Sequence, residues 1–165
     1  MTAIIFWVEG FIVDCKSDVN WKIRHFEQLS RNKLYKILRK RIDVFVVEQE
    51  CPYPECDGKD RDAFHIYALD DDTIVAYARI IKPGVSYQET SIGRVLVDQA
   101  YRGKGLGRKV MEKSIQFIRE EMNEDQIRIS AQEYLLDFYR EMGFQKQSDV
   151  YLEDGIPHIE MLYQA

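Results

Sequence analysis

Positive charge, cysteine and long apolar runs are all scarce in this chain, and each shortage removes a class of function. Lysine and arginine number 23 against 28 acidic residues, a formal net charge of −5 over 165 residues. No overall basic surface is available to drive sequence-independent binding to nucleic acid or to an anionic membrane. Basic and aromatic residues are not interleaved into a base-stacking platform either, so no nucleic-acid partner is expected. Any anionic partner has to be met locally. Cysteine occurs three times, at Cys15, Cys51 and Cys56, which leaves one unpaired under any intramolecular scheme. Without a basic region to begin a secretory leader, a reducing compartment is expected, the cytoplasm by default. The apolar start, Met1 to Val13, is broken by Glu9 and Gly10 and followed by Asp14. It falls well short of the roughly 20 apolar residues a span needs, so no membrane partner is expected. Residues 1–20 read as an extension, with Ile4 to Val13 an accessory strand or disordered.

What is present suits one globular unit over residues 21–165, since 45% hydrophobic content at this length fills one core and not two. No internal repeat, low-complexity tract or linker interrupts it. A short strand from Trp21 to Phe26 precedes Ser30, a helix N-cap. Leu34, Ile37, Leu38, Ile42 and Phe45 then recur at three- and four-residue spacing, which predicts a helix with Lys33, Lys36 and Lys40 turned to solvent. Cys51 to Asp62 has neither period and reads as a loop. Phe64 to Leu69 and Ile74 to Ile81 read as strands joined at Asp70-Asp71-Asp72, and Ile92 to Val97 as a third. A helix from Leu106 to Met122, a strand from Gln126 to Ala131 and a helix from Glu133 to Met142 follow, the last stopped by Gly143. Val150 to Leu152 and His158 to Tyr163 form a closing hairpin around Asp154-Gly155. This order predicts an α/β (α+β) fold, a mixed sheet with helices on its faces.

The chemistry is concentrated in Arg102-Gly103-Lys104-Gly105-Leu106-Gly107, which runs from a strand into a helix. The first N–H groups of that helix have no intrahelical partner and converge on one place. Glycines let an anion approach the backbone, while the helix dipole and Arg102, Lys104 and Arg108 add positive potential. A nucleotide P-loop requires Ser or Thr after Gly-Lys, and Gly105 stands there. A dinucleotide fingerprint counted from Gly103 requires glycine where Arg108 stands.

The loop resembles the pyrophosphate loop of the GNAT acetyltransferase superfamily, whose pattern of Arg or Gln, two residues, Gly, one residue, then Gly or Ala is met by Arg102, Gly105 and Gly107. The stretches Val44 to Gln49, Glu55 to Asp60 and Tyr151 to Met161 are most similar to its ElaA-like branch. The resemblance implies a mostly antiparallel central sheet with a splayed strand pair, flanked by helices on both faces. It also implies an acetyl-CoA-dependent N-acetyltransferase that moves the acetyl group directly to a primary amine. Leu96 and Val97 would offer main-chain groups to the pantetheine arm and thioester, with Gly93 easing the distortion of their strand. Residues 102–108, Leu106 included, would hold the pyrophosphate. The family's Asn, Ala and Tyr positions carry Gln132, Leu135 and Tyr139 here, ahead of Gly143-Phe144. Gln132 can donate and accept as Asn does, and Tyr139 is the implied general acid for the leaving thiolate.

Candidate bases are Glu48, His65, His158 and Glu160, and the last two share one face of a strand. Cys51, Cys56, Asp57, Asp60 and His65 do not complete a zinc site, because no second Cys or His pair follows, and no metal is expected. The acidic stretches near Glu48 and Asp57 to Asp62 suit a wall that draws in a cationic amine, such as a polyamine, an aminoglycoside or a lysine side chain. A second reading keeps acetyl-CoA and drops catalysis, leaving a regulatory or interaction module. The acceptor, and the choice between monomer and homodimer, are left open.

Overall fold

In the computed structural model, which describes residues 19–165, the opening strand β1 covers Asn20–His25. The expectation for Ile4 to Val13 lies outside the described residues. Ser30 caps helix α1, Arg31–Arg41, by accepting a hydrogen bond from the Lys33 N–H at 3.2 Å. The apolar spacing predicts that this helix continues unchanged, but Ile42–Glu48 widens into a π-helical turn. Gln49 N–H bonds to Val44 O at 3.3 Å and Cys51 N–H to Val46 O at 3.2 Å, each spanning five residues. The wider turn breaks the 3.6-residue stripe: Val44 is buried, whereas Ile42 stands 40% exposed. The lysines of α1 do not simply face solvent. Lys33 and Lys36 pair with Asp72, and Lys40 with Asp98.

Strands β2, Ala63–Asp70, and β3, Thr73–Ile81, form the expected hairpin, and β4 covers Thr90–Val97. Helix α2, Leu106–Glu121, and strand β5, Gln126–Gln132, follow. Glu133 to Met142 is not one helix: a tight 3₁₀ turn, Glu133–Leu135, leads into the five-residue α3, Leu136–Arg140. Gly143 ends this segment at φ +94°, and an added Cβ there would stand 3.2 Å from a ring carbon of Tyr163. An unforeseen short strand, β6 at Gln145–Lys146, precedes β7, Tyr151–Glu153, and β8, Ile156–Gln164.

Among the described residues these make one eight-stranded sheet in the order β1-β2-β3-β4-β5-β8-β6, with β7 also on β8. Every neighbouring pair is antiparallel except β4 and β5. Side chains alternate along the strands, so each sheet face packs its own helices. Ile66, Ala78, Ile80 and Ile92 meet Val110, Met111 and Ile118 of α2 and Tyr139 of α3 on one face. Tyr67, Tyr77 and Leu96 meet Ile37 of α1 and Val44 on the other.

Candidate active site

Strand β4 is distorted where it matters. Its pairing with β3 joins Arg79 to Gly93 and Tyr77 to Leu96, so Arg94 and Val95 together stand opposite Ala78 in a bulge. Arg94 carries the strain at φ +54°, and Gly93, expected to ease the distortion, is not in the left-handed region. A non-glycine residue there costs on the order of 1–2 kcal/mol. Fully burying one side chain such as Ile80 returns about 1.5–3 kcal/mol, so the packed core of both faces outweighs it. On its other edge β4 pairs with β5 only at Thr90–Ile127 and Ser91–Arg128. Beyond those residues the strands part, and a cavity of about 860 Å³ opens into the gap.

One wall of the cavity is β4 from Gly93 to Val97, and the loop after it supplies Arg102, Gly103, Gly105, Leu106, Gly107 and Arg108. Gly103 and Gly105 have φ of +75° and +77°, a backbone that bends the loop back on itself and that side chains resist. The first α2 bond runs from Lys109 N–H to Gly105 O at 3.1 Å, so earlier N–H groups of that turn have no intrahelical acceptor. Lys104 is not among the lining residues; its ammonium lies 4.9 Å from the Tyr101 ring centroid. Arg108 pairs with Glu141. The Arg102 guanidinium binds Glu48 and also donates from Nε to Val97 O at 3.1 Å.

The opposite wall brings together Gln132, Leu135 and Tyr139. Gln132 donates to the Gln49 side chain at 3.3 Å, tying β5 to the π-helical turn. Tyr139 packs edge-on against Phe138 and Phe144, and burial raises its pKa well above the ordinary tyrosine value, so it keeps its proton at neutral pH. Its hydroxyl has no hydrogen-bond partner among the described residues. His158 reaches the same cavity, with Nδ1 2.8 Å from Ile156 O. A carbonyl only accepts, so Nδ1 carries a proton, and in the neutral ring Nε2 is the nitrogen with the lone pair.

The other candidate bases fare differently. Glu160 shares the His158 face but binds Arg128 at 3.0 Å and does not line the cavity. His65 is fully buried away from it; Nδ1 accepts from the Tyr77 hydroxyl at 2.8 Å and Nε2 donates to Asp60 O at 3.2 Å. Burial brings the His65 pKa down to about 4. Glu48 lines the cavity and is held by Arg102.

The segment Cys51 to Asp62, expected as a loop whose acidic residues suit a wall for a cationic amine, is organised by a buried ionic network. Arg41, wholly buried, donates from Nε to Glu55 at 2.8 Å and also binds Asp60. Arg79 reaches Asp57 at 2.6 Å and Asp60 at 3.1 Å, while Arg94 binds Glu55 at 2.9 Å and stacks over Tyr53. Burial opposes ionisation of Asp57 and Asp60, but Arg79 holds the first well below the usual carboxylate range and Arg41 lowers the second. Three arginines thus compensate three carboxylates. The available signal was Arg79 inside the apolar run Ile74 to Ile81, because an arginine is seldom buried without a carboxylate partner. Among the described residues no three His, Cys, Asp or Glu side chains gather as metal ligands. On the hairpin, Tyr151 donates to Ser130 and Ser130 to Glu153, both at 2.6 Å. Among the described residues no helix is long and apolar enough to cross a membrane.

A family model described as an acetyltransferase (GNAT) domain matches residues 29–165. A UPF0039 protein of Synechocystis is 42% identical over 150 residues, 90% of this chain and 97% of that protein. The ElaA protein of Escherichia coli is 41% identical over 145 residues, 87% of this chain and 95% of its own. Its crystal structure superposes with a TM-score of 0.84 at 39% identity, covering 89% of this chain and 100% of that one. A crystal structure titled as an acyl-CoA N-acyltransferase from Pseudomonas aeruginosa has a TM-score of 0.85 at 39% identity, covering 88% of this chain and 99% of that one.

Proposed function

Since this chain belongs to the GNAT acetyltransferase family, in its ElaA-like branch, we propose that it transfers the acetyl group of acetyl-CoA directly to a primary amine. Acyl transfer from CoA is the chemistry of the family; the acetyl donor and the amine acceptor are the finer reading. The observation that carries it is the parting of β4 from β5 beyond Ser91 and Arg128, which opens between the anion loop and Tyr139.

In this reading the pyrophosphate lies on the N–H groups of residues 103–108, and the pantetheine arm follows β4 past Val97 and Leu96 into the gap. A β4 main-chain N–H meets the thioester oxygen and stabilises the charge that develops there. The amine nitrogen attacks the thioester carbon. Its surplus proton passes to His158 Nε2, the carbon–sulfur bond breaks as the amide forms, and the leaving thiolate takes the Tyr139 proton. The products are an N-acetylated amine and CoA.

The test follows CoA thiol release from acetyl-CoA with polyamines, aminoglycosides and lysine-terminated peptides. Turnover with at least one amine is the expected result. Thermal stabilisation by acetyl-CoA without turnover on any amine would instead favour the non-catalytic binding module.

A further inference from the structure

The guanidinium of the anion loop is already occupied. Arg102 Nη1 lies 2.7 Å from Glu48 Oε1, and Nη2 donates to Glu48 Oε2 at 2.9 Å, a bidentate pairing in which a carboxylate fills the fork. The third donor, Nε, is bonded to Val97 O, which anchors the guanidinium at the end of β4. Both side chains line the cavity, and they stay 43% and 37% exposed, so the pair sits at its mouth where an incoming anion can reach it. A phosphate presents the same two-oxygen edge to the same fork, and Glu48 and phosphate cannot both use Nη1 and Nη2.

The remaining cavity charges make the release of Glu48 consequential. Asp57 is compensated by Arg79 and Arg94, whereas Glu153 and Asp154 line the cavity with no cationic partner among the described residues. Glu48 is neutralised only while it holds Arg102. Resting on the CoA reading above, we propose that Glu48 is an internal counter-ion of the pyrophosphate site, displaced from Arg102 by the bound donor and thereby turned into a free carboxylate for the cationic acceptor. Donor and acceptor then each tighten the binding of the other.

The test is calorimetric titration of coenzyme A into the wild type, Glu48→Gln, Arg102→Gln and the double variant. Removing a competitor tightens binding, so Glu48→Gln binds CoA about two- to five-fold more tightly at low salt, the size expected for an exposed ion pair. The gain shrinks as salt screens the pair. Arg102→Gln weakens binding, and Glu48→Gln adds nothing in that background. If Glu48 only held the loop in shape, both single variants would weaken binding, and Glu48→Ala with an unchanged melting temperature guards against misfolding. The acceptor half is read with spermidine as a cationic probe of CoA-loaded protein. The wild type binds it about two-fold or more tighter than Glu48→Gln, and the difference disappears without CoA. Glu48→Gln that binds CoA no tighter than a wild type that does bind it overturns the counter-ion, and equal spermidine affinities overturn the acceptor half. A wild type with no affinity for CoA overturns the underlying reading as well.

Discussion

Tyr139 combines two properties that usually conflict, an apolar setting and a place on the wall of an open cavity. Phe138 and Phe144 pack edge-on against its ring, yet the residue lines the cavity. Burial raises its pKa, so the hydroxyl is protonated at neutral pH, the state that the proposed transfer to a leaving thiolate requires. Tyr139→Phe keeps the ring and the packing while removing the proton. Steady-state kinetics on this variant should show kcat reduced on the order of 100-fold, the scale of a general acid. CoA affinity by calorimetry should change little, and an unaltered kcat would take Tyr139 out of the mechanism. For the proposed proton transfer His158 is oriented in the complementary sense, because the Ile156 carbonyl holds a proton on Nδ1 and makes Nε2 the accepting nitrogen of the neutral ring.

The segments around the cavity are held by different means. The segment Cys51 to Asp60 hangs on Arg41, Arg79 and Arg94, which come from α1, β3 and the β4 bulge. Removing one member would leave buried charge uncompensated, a cost of about 3–5 kcal/mol. His65 ties Asp60 O to the Tyr77 hydroxyl of β3, and its burial makes the assembly acid-sensitive. Its folded pKa is about 4, against 6.5 in an open chain. Between those values the unfolded chain holds a proton that the folded one does not. Stability is therefore full above about pH 6.5 and falls as the pH drops towards about 4, by up to about 3 kcal/mol. Asp57 and Asp60, held ionised by arginine, add to this loss only near and below the ordinary aspartate value of 3.8. Urea denaturation at pH 7 and pH 4.5 should register the loss, and His65→Gln should flatten it. A wild type equally stable at both pH values would contradict the buried neutral imidazole.

At the scale of the whole molecule, the net charge of −5 opposes an anionic ligand, while local donors favour it. In the proposed reading the loop between β4 and α2 holds the anion because oriented N–H groups and Arg102 act at contact distance, whereas distant surface charges are screened beyond about 8–10 Å. Donor binding should therefore stabilise the fold. CoA at about 100 times its dissociation constant adds roughly 2.7 kcal/mol. For a chain of this size that moves the melting temperature by roughly 5–10 °C, measurable by scanning calorimetry. The shift should shrink with added salt, and no shift at any concentration would mean that the loop does not hold the pyrophosphate.

Local features of this protein were decided by the sequence itself. Residues suited to a pleated strand from Ile74 to Ile81, bounded by the turn residues Asp70-Asp71-Asp72 and Pro83-Gly84, and helical spacing from Leu106 to Met122 dictate strand and helix, because both signals are local. Arg102, Gly105 and Gly107 made the turn from β4 into α2 legible, since its geometry depends on glycine backbone and helix start, both local. Tertiary structure alone decided what depends on partners far apart in the chain. The π-helical turn at Ile42–Glu48 breaks a stripe that local spacing would continue, and α3 shrinks to five residues behind a tight turn. Glu160 carries the same local credentials as His158, but Arg128 takes its carboxylate. The acidic residues of Cys51 to Asp62 are indistinguishable in sequence from a solvated loop, and become structural only when folding brings Arg41, Arg79 and Arg94 to them. Glu48 and Arg102, 54 residues apart, meet for the same reason: a charge finds its partner in space, and no local pattern encodes that distance.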